Sequence, residues 1–138
     1  MFVYGFDSFE GFPEPTAIDK SPRKPKKGEW NIATPSEIKD FLAKEGRIDK
    51  VFINNNVKLI KGYFNDSLQQ YDGGEIALLH LDVDLYQSYK ETLEYFWPKL
   101  AKNGVVLFDE YKYDSEASNH KYGPEDCPYD QIGMDYSN

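Results

Sequence analysis

The chain has 138 residues, 40% of them apolar, with 16 basic and 24 acidic side chains and a formal net charge of −8. That size suits one modest domain or part of one, and the acidic balance argues against non-specific nucleic-acid binding and against an anionic membrane surface. No apolar stretch approaches the ~20 residues of a membrane span, no signal peptide opens the chain, and the single cysteine, Cys127, excludes an internal disulfide. A cytoplasmic protein is the expectation.

Met1 to Phe6 (MFVYGF) reads as a strand, with Asp7 at its end and a Gly/Pro-containing turn, Ser8 to Pro13, beyond it. An acid in that place has two readings. At the end of the second strand of a nucleoside-binding α/β fold, a carboxylate accepts hydrogen bonds from ribose hydroxyls. As an N-cap, it would only satisfy the amides of the following turn. Pro15 to Trp30 then reads as a loop, within a lid-like stretch 13–33, and carries Lys20, Arg23, Lys24, Lys26 and Lys27. It is either a lid that meets a phosphorylated substrate or a solvated loop.

Thr34-Pro35-Ser36-Glu37 predicts a helix start, with a Thr cap, Pro at the first position and Glu at the third. Ile38, Phe41 and Leu42 give it an apolar stripe, and Gly46 should end it. Val51 to Ile53 reads as a short strand or the approach to one, interrupted by Asn54-Asn55-Asn56, and Val57 to Ile60 as a strand leading into Gly62-Tyr63-Phe64-Asn65-Asp66. That loop can hold a planar base on Tyr63 or Phe64, with Asp66 near an exocyclic amine. Alternatively, Asp66 caps a short helix through Tyr71.

The stretch Glu75 to Ser88 (EIALLHLDVDLYQS) is the centre of the chain. Ile76 to Leu81, broken only by His80, suits a strand buried on both faces, with Asp82 and Asp84 where a ligand crevice opens. Apolar residues at 86, 89, 93, 96, 97 and 100 predict a helix that Pro98 stops near Phe96. Asn103-Gly104 reads as a turn, Val105 to Phe108 as a second buried strand, and Asp109-Glu110 as acids at its end. Two unit charges ~4 Å apart repel by roughly 4 kcal/mol at an effective dielectric near 20. Three carboxylates at one sheet edge therefore need a cation or a proton, and oxygen-only ligands favour Mg²⁺. The bland alternative is a set of solvated strand-end caps. Lys112 to Asn138 shows no periodicity.

Four runs, FDSFEGFPEP (Phe6 to Pro15), KLIKGYFNDSL (Lys58 to Leu68), IALLHLDVDLYQS (Ile76 to Ser88) and KNGVVLFDEY (Lys102 to Tyr111), come in the order of one known family. The chain resembles the macrocin O-methyltransferases, metal-dependent sugar O-methyltransferases that use S-adenosylmethionine, from about Met1 to Tyr111. The resemblance implies an α/β fold, a class I methyltransferase-like (Rossmann-like) doubly wound sheet. It implies a partial methyltransferase-like domain over 1–111 and an irregular polar segment over 112–138. It makes Asp7 the ribose-binding acid, with Ser8, Tyr63 and Asp66 on the cofactor side. Asp82 falls on a metal ligand, Asp84 on the general base, and Asp109 and Glu110 on paired acidic ligands, where the family's usual pair is Asp-Asp. The acceptor implied is a sugar, a nucleotide sugar or a glycosylated small molecule.

The family's first strand and Gly-rich loop have no counterpart, and the last strands also lack one. The missing first strand would lie between the strands at Met1 to Phe6 and Glu75 to Asp82. A fragment of a longer enzyme, a rearranged pairing, or a strand from a complementing chain or second copy would each account for that gap. Asp82-Val83-Asp84 also resembles the DxD of metal-dependent glycosyltransferases, a reading that leaves FDSFEGFPEP and Asp109-Glu110 unexplained. A catalytically silent domain awaiting a partner is the non-enzyme alternative.

Overall fold

The computed structural model of the chain describes residues 1–19 and 24–109. The expectations placed on Lys20, Arg23, Glu110, Cys127 and the segment 112–138 lie outside the described residues. The chain divides into two compact units, Met1–Gly74 and Glu75–Asn138.

The first unit runs β1 (Val3–Asp7), α1 (Pro35–Lys44), α2 (Lys50–Asn56), β2 (Val57–Lys61) and a short helix α3 (Phe64–Ser67) that tightens into a 3₁₀ turn over Leu68–Gln70. β1 and β2 pair in parallel from Val3↔Val57 to Asp7↔Lys61. Parallel neighbours need a long crossover, and α1 and α2 supply it. α1 starts where the capping signal places it. Glu37 N–H donates to the Thr34 hydroxyl oxygen at 3.4 Å, and Thr34 N–H donates to Glu37 Oε2 at 2.8 Å. The Thr34 hydroxyl, then its amide, hold the Glu37 carboxyl below its ordinary range. The stripe packs less than its spacing promises: Ile38 and Leu42 are half-buried and Phe41 is 61% exposed.

The strand expected over Val51 to Ile53 is part of a helix of about two turns instead. Asp49 caps it by accepting Phe52 N–H at 3.0 Å, and Ile53 is its buried residue. A cap and one apolar anchor outweigh the weak β preference of Val51 and Ile53, and the three asparagines become the helix's last turn. Ile53, Val57 and Leu68 form this unit's small core.

A polar latch closes the unit. Tyr4 OH donates to Asp72 Oδ1 at 2.8 Å, and Lys58 Nζ donates to both Asp72 oxygens at 2.7 Å. Tyr4 and Tyr71 meet edge to face at 4.7 Å, and Tyr71 OH donates to the Gly74 carbonyl at 2.8 Å. The Lys58 ammonium, then the Tyr4 hydroxyl, hold the Asp72 carboxyl below its usual range, and Asp72 in turn pushes Lys58 up.

The second unit contains β3 (Ile76–Leu81), α4 (Tyr86–Phe96), a 3₁₀ turn over Trp97–Lys99, and β4 (Leu100–Phe108), parallel to β3. Pro98 ends α4 where the sequence predicts. Tyr89, Leu93 and Phe96 of α4 are buried, as are Leu79, Leu81 and Leu85. Each such side chain contributes about 1.5–3 kcal/mol of transfer free energy.

Two expectations are corrected here. β3 is buried on one face only, because Leu78, Val105 and Leu107 on the other face remain 60%, 57% and 50% exposed. No described helix covers that side. Asn103-Gly104 is not a turn between elements but an irregularity within β4, with Asn103 at φ 66°. Ile76 pairs with Leu100 and Leu78 with Val105, so five steps along β4 answer two along β3. A side chain at Gly104 would come within 2.8 Å of the Ile76 carbonyl oxygen, so only glycine fits.

The architecture is α/β, with parallel pairs joined by helical crossovers, and fits a partial Rossmann-like fold. The strands form two separate two-stranded sheets, β1–β2 and β3–β4. Among the described residues no further strand extends either one.

Candidate active site

Asp7 is the last residue of β1, and its carbonyl accepts Gly62 N–H at 2.9 Å, which keeps the two strand ends together one step past the ladder. Its carboxylate accepts Phe9 N–H at 2.5 Å. The Ser8 hydroxyl accepts Glu10 N–H at 3.1 Å and donates to the Gly11 carbonyl at 2.7 Å. The capping role of Asp7 is thus present, as a side-chain-closed turn and not a helix cap. It does not preclude a second role. The residue is exposed, and an ionised carboxylate offers about four acceptor positions, of which this turn takes one. Lys61 and Glu10 pair at 3.0 Å beside the same strand ends.

Tyr63 and Asp66 lie just beyond β2. Asp66 is not the helix cap. The chain is already helical at Phe64, so Tyr63 takes the cap position without a side-chain bond, and Asp66 falls in the first turn of α3, exposed. Tyr63 is half-buried. Beneath them Ser67 is fully buried, and its hydroxyl has no hydrogen-bond partner among the described residues. A side chain on Gly62 would press to 3.2 Å from Ser67 Cβ, and Gly62 sits at φ 144°. In the lid-like stretch, Lys24, Lys26 and Lys27 are exposed, and the base is closed by Phe12 N–H to the Glu29 carbonyl and Gly28 N–H to the Phe12 carbonyl, each 3.0 Å. A cleft of about 220 Å³ opens beside Lys39, Asp40, Lys50 and Asn54, none of them a strand-end acid.

The second unit holds the other acids. Asp109 N–H donates to the Leu81 carbonyl at 3.0 Å, which extends the β3–β4 ladder past Leu81↔Phe108. Asp82 and Asp109 therefore occupy the next register position on adjacent strands. Asp82 and Asp109 are exposed and Asp84 is half-buried. Asp84 has φ 56°, and Leu85 N–H donates to the Val83 carbonyl at 2.6 Å, closing a γ-turn around it. Such backbone strain costs of order 1–3 kcal/mol, at the low end for Asp, and collects at functional positions. The turn feeds directly into α4, where Tyr89 N–H donates to the Leu85 carbonyl.

A further side chain, given no role by the sequence, stands beside these acids. His80 Nε2 stands 3.7 Å from Asp109 Oδ1, both side chains about half exposed. Its signal was present: it is the lone polar interruption of IALLHL and lies two positions before Asp82, on the same face by strand alternation. Among the described residues no group of three or more His, Cys, Asp or Glu is arranged to hold a metal. The donor chemistry of Asp82 and Asp109 still suits Mg²⁺, which takes one or two protein carboxylates and completes its shell with water and substrate oxygens.

A family described as Macrocin-O-methyltransferase (TylF) matches residues 2–122. Over 117 residues the chain is 33% identical to the 8-demethyl-8-(2,3-dimethoxy-alpha-L-rhamnosyl)-tetracenomycin-C 4'-O-methyltransferase of Streptomyces olivaceus, which covers 82% of this chain and 43% of that protein. The Mycinamicin III 3''-O-methyltransferase of Micromonospora griseorubida is 26% identical over 114 residues, 79% of this chain and 43% of its own length. Among solved structures, the calicheamicin methyltransferase CalS11 superposes with a TM-score of 0.68 at 28% identity, covering 79% of this chain and 45% of that one. The O-methyltransferase NovP gives 0.64 at 26% identity, over 80% and 45%. Parallel strand pairs that end in acids are thus those of a methyltransferase-type α/β domain. With most of its length matched, the chain belongs to the macrocin O-methyltransferase family, and the glycosyltransferase reading gives way. It spans under half the length of the curated relatives it matches.

Proposed function

We propose that this chain carries the cofactor-binding and hydroxyl-activating residues of an S-adenosylmethionine-dependent O-methyltransferase acting on a sugar of a glycosylated small molecule. The relatives named above support the acceptor class. The observation that carries the reading is Asp84, a half-buried carboxylate held at positive φ between Asp82 and the start of α4.

In this reading the spare acceptor positions of Asp7 take the ribose hydroxyls of the cofactor, and the Ser8 turn fixes the carboxylate's direction. Tyr63 offers a face to the adenine ring, and Asp66 an acceptor to its amine. Asp82 and Asp109, with Glu110, would hold Mg²⁺. When bound, S-adenosylmethionine supplies an already activated methyl group, and Mg²⁺ lowers the pKa of a sugar hydroxyl. Asp84 would take that hydroxyl's proton. The γ-turn fixes the main chain that carries this side chain.

The test is calorimetric titration of S-adenosylhomocysteine into the full chain with Mg²⁺ present. Micromolar binding at one site, weakened at least tenfold by Asp7→Asn, is the expected result. A folded chain that binds none overturns the reading for this molecule.

A further inference from the structure

The neck of the lid-like stretch holds four residues at positive φ, and at Phe9 and Trp30, which are not glycine, that backbone is costly. Phe9 (φ 51°), Gly11 (φ 80°), Gly28 (φ 79°) and Trp30 (φ 68°) all lie on the left-handed side. A side chain on Gly11 would collide with the main chain of Gly28 and Glu29, so the two arms of the neck cross at backbone contact. Phe12 N–H and Gly28 N–H cross-link them, Glu29 N–H donates to the Lys26 carbonyl at 3.1 Å, and Lys26 N–H donates to Glu29 Oε2 at 2.9 Å. What this bracing presents is an indole. Trp30 stacks on Phe12 with ring centroids 5.7 Å apart and planes 30° apart, yet stays 61% exposed.

An aromatic residue at positive φ is an outlier that the surrounding structure must hold in place, and burial of the indole is not the return for that cost. A ring with one face backed by another ring and much of its surface in solvent is a stacking platform. An exposed apolar ring face suits the C–H face of a pyranose, the ring that the acceptor of the proposed function carries. The neck also follows directly from the Asp7–Ser8 turn.

We propose that Trp30, backed by Phe12, is the platform on which a pyranose ring of the acceptor stacks. This rests on the sugar-bearing acceptor of the proposed function and assigns its recognition to a named side chain.

The probe is methyl α-L-rhamnopyranoside, added to the ¹⁵N-labelled full chain. Its two indole N–H resonances, from Trp30 and Trp97, are told apart with Trp30→Phe. The expected result is a saturable shift of the Trp30 resonance at millimolar sugar while Trp97 stays still. Trp30→Gly, which relieves the backbone, should keep its circular dichroism and melting temperature and lose sugar contacts in saturation-transfer spectra. An unmoved Trp30, or sugar contacts that survive Trp30→Gly, overturns the proposal. So does a Trp30 shift produced by 2-naphthol and not by the rhamnoside, which would mark an aglycone site. S-adenosylhomocysteine titrated into the same sample separates the two readings. Cofactor binding with a still Trp30 sinks the platform alone, whereas a shifting Trp30 without cofactor binding upholds the platform and sinks methyl transfer.

Discussion

The two strand pairs reach the same kind of end by different means. β1–β2 keeps an unbroken register from Val3 to Asp7, has Ile53, Val57 and Leu68 as its buried apolar anchors among the described residues, and is closed by the exposed Tyr4–Asp72–Lys58 latch. β3–β4 is irregular at Asn103-Gly104 and strained at Asp84, yet it rests on six buried apolar side chains. The irregular ladder belongs to the pair with the thicker apolar packing, and the regular ladder to the pair that polar contacts fasten.

The sharpest way to break this comparison is Leu93→Ala, which should cost about 2–5 kcal/mol through the lost side chain and the cavity beside Tyr89. Hydrogen exchange should then quicken at the β3–β4 amides far more than at β1–β2. Equal loss in both pairs would mean that apolar packing does not distinguish them. Asp84→Asn comes next. Asn tolerates positive φ, so the fold should persist while turnover of a competent acceptor falls on the order of 10²–10⁴-fold. Unchanged turnover would remove Asp84 from the chemistry.

A smaller effect is expected at Ser67. Replacing it with Ala removes a buried hydroxyl that has no partner among the described residues, and thermal unfolding should show stability unchanged or raised by up to about 1 kcal/mol. A clear loss would reveal an acceptor bound there in solution. The smallest effect is the pH response of the latch. Because Asp72 is held below its ordinary range in the fold, its contribution is complete above that range and disappears as pH falls through the lowered value. Lys58 is raised, so its contribution is complete below the ordinary amine range and disappears as pH rises through the raised value. Ring resonances of Tyr4 and Tyr71 should report the acid limb, which Asp72→Asn should abolish, and salt should shrink it.

What could be read from the sequence was what local chemistry decides. The Thr34 capping box, the stop at Pro98 and the span Ile76 to Leu81 all rest on neighbouring residues and stand as expected. α2 departs from the strand expectation because a seven-residue helix containing Val51 and Ile53 is decided by Asp49 and by burial, which periodicity does not register. The open face of β3–β4 depends on which elements pack against it, and a run such as IALLHL says nothing of that. The acids at the strand ends were legible as a pattern, and the register places Asp82 and Asp109 on adjacent strands. The γ-turn at Asp84 was not legible, since no glycine or asparagine announces it.

The uneven ladder of β4 also limits how this strand can change over descent. Leu100 and Val105 are an odd five steps apart, yet their partners Ile76 and Leu78 put both on one face, so the irregularity absorbs the odd step. Straightened at its present length, the strand would turn every residue from Val105 on over. Val106 and Phe108 would leave the side of α4, and Asp109 would rotate away from the face of His80 and Asp82. In that respect Asn103-Gly104 acts as a reading frame for the acid at the strand's end, written in backbone rather than in codons.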